Sequence, residues 1–370
     1  MPAERWLWAL AGAVAGGLGV AWFMRPAPTP PARSDHLRTS PQQYDWTILP
    51  EPEFPLPPYA RHLAGVVIVL DPGHVGQRDP GGNWRRGPTG LREAEVNLRV
   101  AQFLREFLEA AGAKVVLTRE EDRSLDLPDK EDLRQRTEAA NRVRADLLLS
   151  IHHNACDDPQ VNYTTVFYHG HPPASPASVA AGRHLLTGLH DALRLPTHLP
   201  CALVSDFAVH ENNGFAVLRG ADVPAVLCEA SFHSNPQEEA RLRDAAYNRR
   251  EAYGLFLGVA RWAAAGLPRV RLVQPADGKV RRGGAVMVEL DDGLSGRGGW
   301  AAEQSKILPD SVVVKLAGQI VRPQVELDRR RLRVTVPRAQ RRGPCELHVD
   351  FTNVFGQTVL HPRLGLQVVE

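Results

Sequence analysis

A chain of 370 residues, with 43% hydrophobic and 23% charged side chains, has the composition of a globular protein and the length for two domains. The net charge of +2, with both signs interspersed, argues against a nucleic-acid-binding protein, which normally carries a concentrated basic face. The four cysteines form no CxxC pair and no close Cys/His pair, which argues against a structural zinc finger. Cys156 and Cys201 are compatible with a disulfide or with free thiols.

The N-terminal segment, residues 1–24, predicts a signal anchor or a signal peptide. Its apolar run from Trp6 to Met24 is long enough to span a bilayer. Trp22 and Phe23 resemble interfacial aromatic residues and favour the anchor, whereas the small residues before Trp22 fit a cleavage site. A buried helix is a further alternative. The first two alternatives place the rest of the chain outside the cytoplasm.

Residues 25–63 predict a linker. The segment is rich in proline, which lacks a backbone N–H donor and favours extended polyproline conformations. A semi-rigid spacer of this kind would hold a globular body away from the membrane.

Residues 64–267 alternate between two patterns. Continuous apolar runs rich in β-branched residues predict buried strands, and apolar residues at helical spacing predict helices. This alternation predicts an α/β domain, a three-layer sandwich with a mostly parallel sheet. The predicted strands are "GVVIVLD", "AKVVLTR", "DLLLSIHHN", "YTTVFYHG", "FAVLR" and "AVLCEASF", and the longest predicted helices begin near Glu93, Lys130, Ser175 and Asn235.

Residues 268–370 show seven short strand patterns separated mostly by glycine, proline or aspartate turns, with no helical period. This texture predicts a C-terminal all-β sandwich of the immunoglobulin-like type. The basic run Leu327–Gly343 fits a solvated strand edge rather than a nucleic-acid surface.

Four residues of the α/β region carry the chemistry. His74 follows an Asp-Pro-Gly turn after the first strand, Glu93 begins a helix, and His152 and Glu229 end two further apolar strands. Each residue alone is compatible with a structural role. Together, on the one rim of the sheet where ligands bind, two histidines and a carboxylate predict a three-ligand catalytic zinc site, with a second carboxylate as general base.

The segment Val66–Ala264 resembles the catalytic domain of zinc-dependent N-acetylmuramoyl-L-alanine amidases, the cell-wall hydrolases of the amidase type 3 family. The matching motifs, in the family's order, are "VLDPGHVGQRDPGG", "GLREAEVNL", "VVLTR", "RTEAANRVRADLLLSIHHNA", "FAVLR" and "PAVLCEASFHSNP". The resemblance implies that His74, Glu93 and His152 bind Zn²⁺ and that Glu229 is the catalytic carboxylate.

Neighbouring residues offer alternatives to these assignments. Glu93 matches the family's position after Gly-Leu-X, so it is preferred to Glu95. His152 is preferred to His153, because adjacent residues of a strand point to opposite faces. His233 is compatible with lining the substrate groove or with no role. Asn154 and Arg136 match family positions and are interpreted as supports.

The resemblance implies hydrolysis of the amide between N-acetylmuramic acid and the L-alanine of peptidoglycan stem peptides. The alternatives are an inactive peptidoglycan-binding protein of the same fold, a zinc hydrolase acting on another amide, and a scaffold protein. We expect peptidoglycan as the substrate, membrane attachment through the N-terminal segment, a regulatory protein partner and no nucleic acid. The expected location is extracytoplasmic, in the cell envelope.

Overall fold

The computed structural model describes residues 54–74, 85–122, 127–172, 175–297 and 303–370. The predicted signal segment, most of the predicted linker and the glycine-rich loop after His74 lie outside these residues. Within the described ranges, no helix combines the length and the apolar character needed to cross a bilayer.

The α/β region follows a short 3₁₀ helix at Pro58–Leu63. Six strands and six helices follow in alternation. The strands are β1 (Val67–Pro72), β2 (Lys114–Leu117), β3 (Leu147–Asn154), β4 (Thr165–Tyr168), β5 (Leu203–Ser205) and β6 (Ala225–Phe232). The helices are α1 (Glu93–Ala110), α2 (Asp129–Val143), α3 (Pro176–Leu193), α4 (Ala216–Arg219), α5 (Pro236–Leu242) and α6 (Ala245–Ala264).

The six strands form one mixed sheet in the order β2-β1-β3-β6-β4-β5. The neighbouring pairs are parallel except β4 and β6, which are antiparallel. Side chains alternate across it: Ile68 and Leu70 join the core formed with α1, α3 and α6, whereas Val69 joins the core formed with α2 and α4. The α/β prediction is therefore confirmed, with helices on both faces of the sheet.

One strand prediction is wrong. The segment "FAVLR" forms the short helix α4, and the edge strand β5, which the pattern does not indicate, lies beside β4. The backbone N–H of Phe215 donates to the buried carboxylate of Asp206, while Val217 and Leu218 pack against the sheet. These tertiary contacts override the preference of a short apolar run for extended structure.

Helix α3 is part of the core. A Cβ on Gly188 would lie 2.1 Å from the carbonyl oxygen of Gly254 in α6, so the two backbones approach as closely as glycine allows. Leu185 and Leu189 are buried in the same contact layer. This packing fixes α3 and α6 on one face of the sheet.

The β region consists of two sheets around a separate apolar core, which contains Val288, Val334 and Leu347. The all-β prediction is confirmed. The five-stranded sheet has the order β11-β10-β14-β15-β8 and the four-stranded sheet the order β12-β13-β9-β7. Their bounds are β7 (Arg269–Gln274), β8 (Lys279–Arg281), β9 (Ala285–Asp291), β10 (Val313–Leu316), β11 (Gln319–Ile320), β12 (Gln324–Glu326), β13 (Arg331–Thr335), β14 (Gly343–Asp350) and β15 (Arg363–Val369).

Polar contacts join the two regions. The Asn353 side chain donates to the carbonyl oxygen of Ala265, just after α6, at 2.9 Å, and to that of Asp292 within the β region at 3.0 Å. Arg269 donates to the Asp146 carboxylate at 2.7 Å. The β region is thus seated against the end of α6 and the start of β3.

All four cysteines belong to the described residues and are free. Cys156 is partly exposed and Cys201 is exposed, whereas Cys228 and Cys345 are buried. Of the two alternatives for Cys156 and Cys201, the structure has the free thiols.

Candidate metal centre

The rim of the sheet that carries the candidate residues is set by three parallel strands. Strands β1, β3 and β6 end at the same edge, with Pro72 opposite Ile151 and His152 opposite Glu229. The pairing of β3 with β6 is irregular just after His152, the kind of bulge that is frequent beside active sites. Three segments that are distant in sequence therefore meet at one edge.

His74 is held in a strained turn after β1. Its backbone has a φ of 62°, a left-handed conformation that is costly for a residue with a side chain. Arg136 donates to the carbonyl oxygen of His74 at 2.7 Å, and Arg119 donates to that of Gly73 at 3.1 Å. Two buried guanidinium groups thus hold the turn that aims His74 at the rim.

Gly73 allows the two histidines to approach. A Cβ at this position would lie 2.2 Å from Cε1 and Nε2 of His152, closer than any real contact. The rings of His74 and His152 meet edge to face with centroids 4.8 Å apart. Any side chain at position 73 would displace the His152 ring.

Glu93 begins α1 and turns its carboxylate toward both histidines. Its Oε2 lies 2.7 Å from His74 Nε2, and its Oε1 lies 3.1 Å from His152 Nδ1. Glu93 is 2% exposed, whereas the His74 and His152 side chains remain partly accessible. Burial alone would raise the pKa of Glu93, but His74 and His152 lower this pKa well below its usual range.

One potential ligand atom from each of His74, Glu93 and His152 lies within 4.8 Å of the other two. Among the described residues this is the one His/Cys/Asp/Glu group with the spacing to hold a metal ion. Two imidazole nitrogens and one carboxylate are the donor set of catalytic zinc sites, which keep a fourth position for water or substrate. The residues present therefore fit a zinc ion.

Glu229 lies beside this cluster on β6. Burial raises the pKa of the Glu229 carboxyl to about 7; His152 opposes this rise and Glu93 adds to it. Within the described part of the chain, its Oε2 is buried and has no hydrogen-bond partner. A carboxyl group in this condition can both accept and release a proton near neutral pH.

The alternative residues lie elsewhere. Glu95 is on the solvent side of α1 and pairs with Arg99 at 3.3 Å. The side chain of His153 is fully buried on the other face of β3. His233 is 1% exposed and its Nδ1 lies 3.0 Å from the carbonyl oxygen of His153, so it binds β6 to β3 rather than facing a groove.

The two residues interpreted as supports, Arg136 and Asn154, differ in which parts of the site they contact. Arg136 is buried and bonds Asp71 at 2.9 Å as well as the His74 carbonyl. Asn154 accepts a hydrogen bond from the neighbouring Ala155 N–H at 2.8 Å, so its reach is local.

Sequence reasoning missed three residues around the cluster: Asn97, Arg119 and Glu251. Asn97 Nδ2 donates to Glu93 Oε1 at 3.2 Å. Asn97 stands four residues after Glu93, a spacing that places both on one helix face, so the sequence pattern could have indicated this contact. Arg119 follows β2 and donates to the carbonyl oxygens of Pro72, Gly73 and Ala94. Glu251 lies more than 150 residues from Glu93 and carries no local signal.

The comparisons with known proteins agree with this geometry. A family model described as N-acetylmuramoyl-L-alanine amidase matches residues 68–261, just over half of the chain. The germination-specific N-acetylmuramoyl-L-alanine amidase of Bacillus subtilis is 31% identical over 214 residues, which cover 55% of this chain and 83% of that protein. The amidase AmiC of Escherichia coli is 30% identical over 256 residues, 60% of this chain and 59% of that protein.

Among solved structures, the amidase AmiC2 of Nostoc punctiforme matches at 27% identity with a TM-score of 0.44, covering 54% of this chain and 98% of that chain. This chain thus spans most of the Bacillus relative but little more than half of the Escherichia one. The match at residues 68–261 spans the strands and helices that carry the rim residues. The chain belongs to the N-acetylmuramoyl-L-alanine amidase family.

Proposed function

We propose that this protein is a zinc-dependent amide hydrolase that cleaves the bond between N-acetylmuramic acid and the L-alanine of peptidoglycan stem peptides. The observation that carries the proposal is the convergence of His74, Glu93 and His152 beside the Glu229 carboxyl, whose pKa burial raises to about 7. Membership of the amidase family supports the choice of bond.

His74, Glu93 and His152 would hold the zinc ion. When bound, zinc polarises a carbonyl group and lowers the pKa of a bound water molecule toward neutrality. The chain contributes the preorganisation: Arg136 and Arg119 fix the turn of His74, and Gly73 leaves room for the His152 ring.

Glu229 would move the proton. Its carboxylate takes a proton from the attacking water and then passes it to the departing amine of alanine. The pKa of about 7 suits both steps, because the group is then neither a strong acid nor permanently protonated. No covalent intermediate with the enzyme is required.

The experiment that tests the proposal is mass spectrometry of the products released from purified peptidoglycan, with and without a chelator. We expect free stem peptides that begin with L-alanine, and their loss when zinc is removed. Release at another bond would favour a zinc hydrolase of different specificity. Zinc binding without any product would indicate a peptidoglycan-binding protein.

We infer an extracytoplasmic location in the cell envelope, because one relative, LytH of Staphylococcus epidermidis, is named a probable cell wall amidase. Attachment to the membrane by the N-terminal segment and a regulatory protein partner remain predictions from the sequence. Fractionation of cells that express the full chain tests the attachment: recovery in the soluble envelope fraction would contradict it.

For the C-terminal region we infer an immunoglobulin-like sandwich that packs on the α/β region. Two facing sheets around one apolar core support this inference, together with the hydrogen bonds of Asn353 and Arg269 to the α/β region. Such a module stabilises or spaces the enzyme rather than adding chemistry.

A further inference from the structure

Behind Glu93, three buried side chains connect the candidate metal centre to helix α6. Asn97 Nδ2 donates to Glu93 Oε1 at 3.2 Å, and His153 Nδ1 lies 2.8 Å from Asn97 Oδ1. His153 Nε2 in turn lies 3.0 Å from Glu251 Oε2. Asn97, His153 and Glu251 are at most 2% exposed. We call these three residues the buried chain.

The two hydrogen bonds on either side of Asn97 run toward Glu93: His153 donates to Asn97, and Asn97 donates to Glu93. Asn97 Nδ2 also donates to the carbonyl oxygen of Gly73 at 3.4 Å, which turns its Oδ1 toward His153. Because an amide oxygen only accepts, His153 Nδ1 must carry a proton. The Glu251 carboxyl holds the other ring nitrogen of His153: as a carboxylate it accepts from Nε2–H, and as a carboxylic acid it donates to bare Nε2. Both arrangements are compatible with the proton on Nδ1 and keep the ring in place.

The direction of these hydrogen bonds determines whether Asn97 presents its N–H or its oxygen to the Glu93 carboxylate. Its Oε1 accepts from Asn97 and, at 3.0 Å, from the backbone N–H of His153, and lies 3.1 Å from His152 Nδ1, whereas its Oε2 lies 2.7 Å from His74 Nε2. Without the His153 ring as its partner, the Asn97 amide would be free to turn over and present its oxygen to Glu93 Oε1. Two acceptors would then face each other, and the carboxylate would rotate.

Stability alone does not explain the buried chain. Within the described residues, Glu251 Oε1 is buried without a hydrogen-bond partner. A buried carboxyl group with an unsatisfied oxygen costs free energy, and apolar residues of similar volume are often at least as stable. Glu251 is connected by hydrogen bonds through His153 and Asn97 to the carboxylate of Glu93. This connection indicates a role in positioning the Glu93 carboxylate.

We propose that Glu251 and His153 are positioning residues for metal binding: through Asn97 they hold the Glu93 carboxylate with Oε1 engaged by the protein and Oε2 directed to the metal. This inference rests on the proposed function, because it assigns Glu93 to the zinc ion. Groups behind metal ligands typically change metal affinity by about 10–100-fold when they are removed.

The test is the zinc affinity of the full-length chain, measured by competition with a chromophoric chelator. We expect His153→Leu and Glu251→Leu each to bind zinc about 10–100-fold more weakly. Glu251→Gln should bind nearly as tightly as the parent, because its amide still forms a hydrogen bond with His153 Nε2 and keeps the ring in place. The visible absorption of the cobalt-substituted proteins should change in the two leucine variants and be restored in Glu251→Gln.

Tyr247→Phe is the matched control. It removes another buried hydrogen bond of α6, from the Tyr247 hydroxyl to Glu238 at 2.7 Å, one helical turn before Glu251, and leaves the hydrogen bonds of the buried chain in place. We expect it to lower thermal stability and leave zinc affinity unchanged. Parent-like zinc affinity in a folded His153→Leu or Glu251→Leu, or an equal loss in Tyr247→Phe, would overturn the inference. A parent protein that binds no zinc would overturn the proposed function as well, so the two failures are distinguishable.

Discussion

The two regions of the molecule bury polar groups for different purposes. The α/β region buries charged and imidazole side chains such as Asp71, Glu93 and Glu251 at or behind one rim of its sheet. The buried polar side chains described in the β region are Asp292, Asn353 and Gln357, and they lie in turns and at the contact with the α/β region. At the rim of the α/β sheet, buried polarity thus surrounds the candidate metal centre, whereas in the β region it serves turns and docking.

The largest effect that this difference predicts is at Glu229. Replacement by Gln keeps the shape of the side chain but removes its ability to accept a proton, so we expect hydrolysis of muropeptides to fall by about 10²–10⁴-fold. The zinc content should not change, because Glu229 is not one of the three clustered ligands. Turnover and metal content of the same purified sample measure both. A fully active variant would show that another group moves the proton.

Glu93 and Glu95 lie in the same turn of α1, and substitutions at the two positions distinguish a candidate metal ligand from a surface residue. Glu93→Gln removes the charge at the centre of the cluster, and we expect zinc affinity to fall by about 100-fold or more, beyond the range for residues behind the ligands. Glu95→Gln changes an exposed ion pair and should bind zinc like the parent. Equilibrium dialysis gives both affinities. Equal losses in the two variants would remove Glu93 from the site.

Substitution of Gly73 in the α/β region and of Gly365 in the β region compares a crowded glycine beside the candidate metal centre with an uncrowded one far from it in the sequence. In Gly73→Ala the new methyl group would meet the His152 ring, so we expect weaker zinc binding and a loss of stability of about 1–3 kcal/mol. In Gly365→Ala, on β15, the new group meets open space and both properties should stay near those of the parent. Chelator competition and thermal denaturation measure the two effects. A parent-like Gly73→Ala would mean that the rings do not approach as described.

The smallest expected effect is at the contact between the regions. Burial raises the pKa of Asp146, but His361, the Val67 N–H and Arg269 together lower it below its ordinary value. A lowered folded pKa stabilises the protein above the unfolded pKa of about 3.9, and this contribution disappears as the pH falls below it.

We therefore expect Asp146→Asn to cost about 1 kcal/mol at neutral pH and to lose this difference in acid. Melting temperatures of the parent and the variant, measured from about pH 7 to pH 2, should converge as the pH falls through the lowered folded pKa. Because both proteins share every other titrating group, a difference that persists in acid would show that the charge of Asp146 is not responsible.

The sequence was sufficient for the strands that end at the rim, because β1, β3 and β6 are largely apolar runs that carry Asp71, His152 and Glu229 in their carboxyl-terminal halves. The choice of Glu93 over Glu95 needed the family resemblance, since both begin the same helix. The helix at Ala216–Arg219 and the reversed direction of β4 depend on tertiary contacts that four-residue segments do not encode. Glu251 was invisible for the same reason: its partner His153 is 98 residues away.

The reversal of β4 also determines what borders the centre. Because β4 runs against β6, it begins where β6 ends, with Thr165 opposite Glu229. The chain from Ala155 to Thr164 therefore never leaves this rim, and it is tied to the segment after β6 by Cys156 and Asn235. Its tip at Asp157–Gln160 is largely exposed. The candidate metal centre is thus bordered by a ten-residue stretch that carries none of the candidate ligands, so substitutions in its exposed tip can change the border of the centre without removing a ligand.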